Sequence, residues 1–93
     1  MLEKMIEKHL TQTTKKYGGT TLKNSDPNKA GMPDRLILLP GGKHAFAEIK
    51  APGKKPRPLQ ARQIQKLKNL GHKVYIIDTK QKAEQAIHEI HTT

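Results

Sequence analysis

The chain has 93 residues and a mass of 10.5 kDa, enough for one compact domain; 33% of residues are apolar and 3% aromatic, so a single small core must hold it. Its 18 Lys and Arg against 8 acidic residues give a formal charge of +10, which suits a polyanionic partner, nucleic acid before an anionic membrane surface. The lack of Cys excludes disulfides, thiolate chemistry and cysteine zinc sites, and no apolar run nears the roughly 20 residues of a membrane span.

Met1–Thr11 is too charged for a secretory signal, so the expected setting is a reducing, cytoplasmic one. Within Met1–Lys16, Leu2, Met5, Ile6, Leu10 and Thr13 recur at spacings near three and four, which predicts an amphipathic helix ended by Gly18-Gly19. Thr20–Lys23 is short and β-prone, and Asn24–Pro33 reads as a loop. The aliphatic run Arg35–Leu39, the turn residues Pro40-Gly41-Gly42 and the segment His44–Lys50 together predict a β-hairpin. Ala51–Pro58, with three Pro, is a stiff basic loop. Pro58–Leu70 carries Leu59, Ile64, Leu67 and Leu70 in helical order, with Pro58 in the first turn and Gly71 as the stop. Lys73–Ile77 reads as a strand, and Asp78 or Thr79 caps a last helix with Ala83, Ala86, Ile87 and Ile90 inward. The order is α-β-β-β-α-β-α. The helix between the third and fourth strands makes a right-handed crossover, so an α/β fold is expected, a small mixed sheet flanked by helices.

The chemistry concentrates in Pro33-Asp34 and Glu48-Ile49-Lys50. Side chains alternate along a strand, so Glu48 and Lys50 share a face. A two-residue turn at Gly41-Gly42 sets Asp34 opposite Ile49, on the wrong face. An odd-length connection or a bulge sets it opposite Lys50 and beside Glu48. On the hypothesis that the three converge, such a connection is expected. Two carboxylates with the backbone carbonyl of Ile49 suit Mg²⁺ or Mn²⁺. A metal with Lys50 beside it fits phosphodiester hydrolysis. A surface ion pair is the plainer alternative for the same residues.

Taken together, several motifs resemble the virus-type replication-repair nuclease family (VRR-NUC), a branch of the PD-(D/E)xK restriction-endonuclease-like superfamily. They are Glu3-x-x-Ile6-x-x-x-Leu10, Gly18-Gly19 with Lys23, Gly31-x-Pro33-Asp34-Arg35, Leu39-Pro40-Gly41-Gly42, Glu48-x-Lys50-Ala51 and Pro58-Leu59-Gln60, in order over about Leu2 to Asp78. The resemblance implies one nuclease domain over residues 1–93, a divalent metal and DNA cleavage. By position it makes Asp34 and Glu48 metal ligands and Lys50 the catalytic lysine. Gln60 becomes the polar residue opening the second long helix, and Glu3 an acidic residue that reaches the metal directly or through water. Glu7 lies one turn from Glu3. The loop Ser25-Asp26-Pro27-Asn28-Lys29-Ala30-Gly31 departs from the family's Ser-Pro-Gly pattern at Asp26 and Asn28.

Lys54, Lys55, Arg57 and Arg62 flank this constellation and are candidate phosphate contacts, as is Lys23. The five His show no zinc pattern. The expected function is a metal-dependent DNA endonuclease. Family and symmetry extend that to a homodimer acting on branched DNA such as four-way (Holliday) junctions. The alternatives are a flap-, nick- or duplex-acting nuclease of the same fold, a non-catalytic basic DNA-binding module, and a protein that docks on an acidic partner.

Overall fold

A computed structural model describes residues 2–26 and 28–93; Met1 and Pro27, which fall in the predicted first helix and the following loop, lie outside the described residues. The elements are α1 (Glu3–Lys16), β1 (Thr20–Lys23), β2 (Arg35–Leu39), a 3-10 turn (Pro40–Gly42), β3 (Lys43–Ile49), α2 (Pro58–Asn69), β4 (Val74–Ile77) and α3 (Lys80–Thr92). The order is the one read from the sequence. The third strand runs one residue earlier than expected, so Lys50 lies just beyond it, and α2 stops at Asn69. Thr79 is the cap of α3, its hydroxyl accepting from the Lys82 N–H at 3.1 Å.

The sheet order is β1-β2-β3-β4. The first two pairings are antiparallel and β3/β4 is parallel, as a helical crossover through α2 requires. Leu39 pairs with Lys43 and Arg35 with Ala47, so the connection is the three residues Pro40-Gly41-Gly42. Gly41 and Gly42 close it at φ 83° and 75°, a region that glycine enters without a Cβ clash. The odd length is the expected one, but its phase differs. The ladder carried one residue on sets Asp34 across from Glu48, not Lys50, because the turn begins at Pro40 and not one residue later.

The core lies on one face of the sheet. Ile6 and Leu10 of α1, Ile37, Ala45, Ala47, Ile49 and Ile77 of the strands, and Ala83, Ala86, Ile87 and Ile90 of α3 form one buried cluster. Ala83 and Ala86 are small enough to bring α3 close to the sheet. Leu10, Ile87 and Ile90 are thus core. Leu2 and Met5, expected on the buried stripe of α1, are exposed; Thr13, expected on the same stripe, is buried, and so is Thr14 beside it. The Thr14 hydroxyl donates to the Leu10 carbonyl at 2.7 Å, which satisfies it inside the core. The other face carries Leu36, Phe46, Glu48, Val74 and Ile76 by strand alternation. Toward it α2 turns Gln60 and Ile64, while Leu59 and Leu70 stay exposed.

Candidate active site

Backbone geometry sets Asp34 first. Pro33 is fully buried and fixes its own φ. Asn24, the residue after β1, holds this corner twice: its side-chain amide donates to the Pro33 carbonyl at 2.8 Å and its backbone N–H to the Asp34 carbonyl at 2.9 Å. Asp34 Oδ1 in turn accepts the Ile49 N–H at 3.2 Å. Within a strand a residue's C=O points to the same side as its N–H, so the Ile49 carbonyl also faces Asp34.

Glu48 is 3% exposed, and its two oxygens differ. Oε2 accepts from the Gln60 amide at 3.0 Å and lies 3.3 Å from Lys50 Nζ. Gln60 Oε1 accepts the Arg57 N–H at 3.0 Å, which leaves the amide NH₂ no orientation but toward Glu48. Oε1 of Glu48 is buried without a hydrogen-bond partner, a costly state for a carboxylate oxygen. Burial above all, and then the charge of Glu48, push the Asp34 carboxyl up to about 6; the Ile49 N–H pulls the other way.

This donor set fits a divalent cation. A buried carboxylate and a half-buried one repel across neighbouring strands, the buried one has an orphaned oxygen, and a backbone carbonyl faces the same point; a hard cation with oxygen ligands would resolve all three. Among the described residues no group of three or more His, Cys, Asp or Glu is gathered, so the protein's side-chain donors at this point are Asp34 and Glu48.

The other expected residues divide. Gln60 and Lys50 join the two carboxylates. Glu3 is exposed. Its neighbour Glu7 pairs with Arg35 at 2.9 Å, and the charge of Glu7 also raises Asp34. Lys54, Lys55, Arg57 and Arg62 are exposed on the loop and helix beside the site. Lys23 is exposed too, but it pairs in register with Arg35 on β1, on the sheet face opposite Glu48. Asn24 and Asp78 were missed from sequence. Asp78 ties down the Pro-rich loop through the Gly53 N–H at 3.3 Å and pairs with Lys82 at 2.9 Å, which holds its carboxyl below the usual range. Asn24 was legible in principle, because it stands one step beyond β1 on the register that leads to Asp34.

No protein-family model matches the chain. Over 77 residues it is 48% identical to "Putative nuclease p44" of Acyrthosiphon pisum secondary endosymbiont phage 1, covering 83% of this chain and 83% of that protein. A solved structure described as a VRR_NUC domain superposes with a TM-score of 0.86 at 28% identity, over 92% of this chain and 94% of that one.

Proposed function

Because the chain belongs to the VRR-NUC family of nucleases, we propose that it is a Mg²⁺- or Mn²⁺-dependent DNA endonuclease, selective for branched DNA such as four-way junctions and active as a homodimer. The observation that carries the metal-dependent reading is the pairing of Asp34 with a Glu48 whose Oε1 is buried and unpartnered.

Asp34, Glu48 and the Ile49 carbonyl are the residues that would hold the ion, with a carboxylate of α1, Glu3 or Glu7, reaching it directly or through water. A bound divalent ion supplies an acidified water and a counter-charge for the phosphate. Lys50 keeps its ammonium at the same point, where it balances charge growing on phosphorus-bound oxygens. Gln60 holds Glu48 Oε2 and so leaves Oε1 free for the ion. Arg57 and Arg62 grip flanking phosphates in a fork, and Lys54 and Lys55 add mobile charge, while Lys23, on the opposite face of the sheet, stays outside this contact. Two copies related by a two-fold axis match the symmetry of a four-way junction and bring one site to each of two strands.

The test compares cleavage of four-way, flap and linear DNA by the parent, Glu48→Gln and Lys50→Ala, with Mg²⁺ or Mn²⁺ and with chelator. Expected are preference for the junction, loss of cleavage with chelator, a drop on the order of 10²–10³-fold for Lys50→Ala, and a sedimentation mass of a dimer. Equal rates on all three DNAs sink the branch selectivity. Undiminished cleavage by Glu48→Gln removes the metal site.

A further inference from the structure

Beside the active site a groove of about 600 Å³ opens between the Pro-rich loop, α2 and β4, within the range of small-molecule sites, about 300–1,000 Å³. Pro56, Ala61, Ile64 and Ile76 line it. Ile76 pairs in register with Glu48 on the neighbouring strand, so the groove floor begins one strand spacing, about 4.8 Å backbone to backbone, from the residue proposed to hold the ion. This β-branched side chain is 39% exposed. Lys54 and Lys55 stand at the rim. The remaining wall is Lys82 with Asp78, whose carboxylate is already engaged by Lys82 and the Gly53 N–H.

An aliphatic floor with an ammonium rim complements a molecule with an apolar body and an anionic edge, and a nucleotide is such a molecule. We infer that this groove takes one unpaired nucleobase next to the scissile phosphate, the lysines meeting its backbone. The inference rests on the nuclease reading and narrows it. A paired base cannot leave its partner to enter a concave slot without an unpairing cost, which is least where the strand is already single. The groove therefore favours DNA with a fork or branch within reach of the cut. With Asp78 engaged, the floor offers apolar contact and no base-edge pattern, so all four bases are accepted.

The experiment places 2-aminopurine at successive positions around the branch of a junction and measures its emission with the parent protein bound in chelator, so that no strand is cut. An aliphatic slot holds the base away from stacking partners, so emission rises at a single position. Ala61→Leu, which fills the groove, abolishes that rise. An abasic residue at the same position weakens binding of the parent about ten-fold, the scale of one lost base contact, whichever base it replaces. DNA that is bound and cut while every position stays dark overturns the groove assignment alone. So does a rise that persists in Ala61→Leu, or an Ala61→Leu effect confined to the sedimentation mass, which makes the groove a subunit interface. A parent that neither binds nor cuts DNA overturns the nuclease reading and this inference with it.

Discussion

Asp34 carries a cost that the fold accepts. Its carboxyl is raised from 3.8 to about 6 by burial first and by Glu48 second, so the folded protein binds that proton more tightly than the unfolded chain does. Its contribution to stability is full below pH 3.8 and is lost as pH rises through 6. Asp34→Asn keeps an acceptor for the Ile49 N–H and removes the charge. Without metal it is expected to melt higher than the parent at pH 7.5 and at a similar temperature near pH 4, as scanning calorimetry at both pH values would measure. The same variant should gain no stability from added Mn²⁺ at pH 7.5, where the parent gains, and the parent's gain should shrink below pH 6 as protons compete. Gln60 acts on the other carboxylate. Gln60→Ala frees Glu48 Oε2 from one of its two partners, and cleavage is expected to fall about 10–100-fold, with tighter dependence on metal concentration. Kinetics across a Mg²⁺ series would read both.

At the scale of elements, the boundaries were legible because the chain punctuates itself. Gly18-Gly19, Pro40-Gly41-Gly42, Pro58, Gly71 and Thr79 each mark an end found within a residue or two in the structure. What periodicity misread was burial on α1 and α2. Counting apolar spacings assumes that what is buried is apolar. Gln60 and Glu48 break that assumption because they are buried by being bonded to each other. Thr14 breaks it because its hydroxyl is satisfied by the helix backbone. The phase of the hairpin was likewise beyond reach, since Pro40 opens the turn or closes the strand equally well in the sequence alone. Packing at the first corner is tight. A Cβ at Gly19 would stand 2.2 Å from the Leu38 carbonyl oxygen and 2.7 Å from Leu39 Cδ2. The first of these is backbone and cannot swing aside. Gly19→Ala should therefore push α1 and β1 off β2 and cost about 1–3 kcal/mol, measurable as a lowered urea midpoint.

For the whole molecule, charge and fold point the same way. A formal charge of +10 gathers phosphate, and the exposed Lys54, Lys55, Arg57 and Arg62 lie beside the carboxylates that would otherwise repel it. Affinity for DNA should fall linearly with the logarithm of salt concentration. Replacing Lys54 and Lys55 together by Ala should reduce the slope by about 2, one per lost phosphate contact, as anisotropy titrations at several salt concentrations would show. Composition alone gave the polyanion, and the ordered motifs from Glu3 to Gln60 gave the family. The groove over Ile76 was in neither, because it exists only once a crossover connection has laid α2 beside β4.

The buried cluster sits between the sheet and the α1–α3 pair, while the carboxylates, Gln60 and the basic loop occupy the reverse side. Load and task are thereby assigned to opposite surfaces of one sheet. Descendants of such a chain can vary the exposed loop residues from Pro52 to Lys55 at little risk to folding, while the buried Gln60 and Ile64 keep α2 on the sheet. The same division makes that loop the natural place for a protein engineer to graft a new specificity.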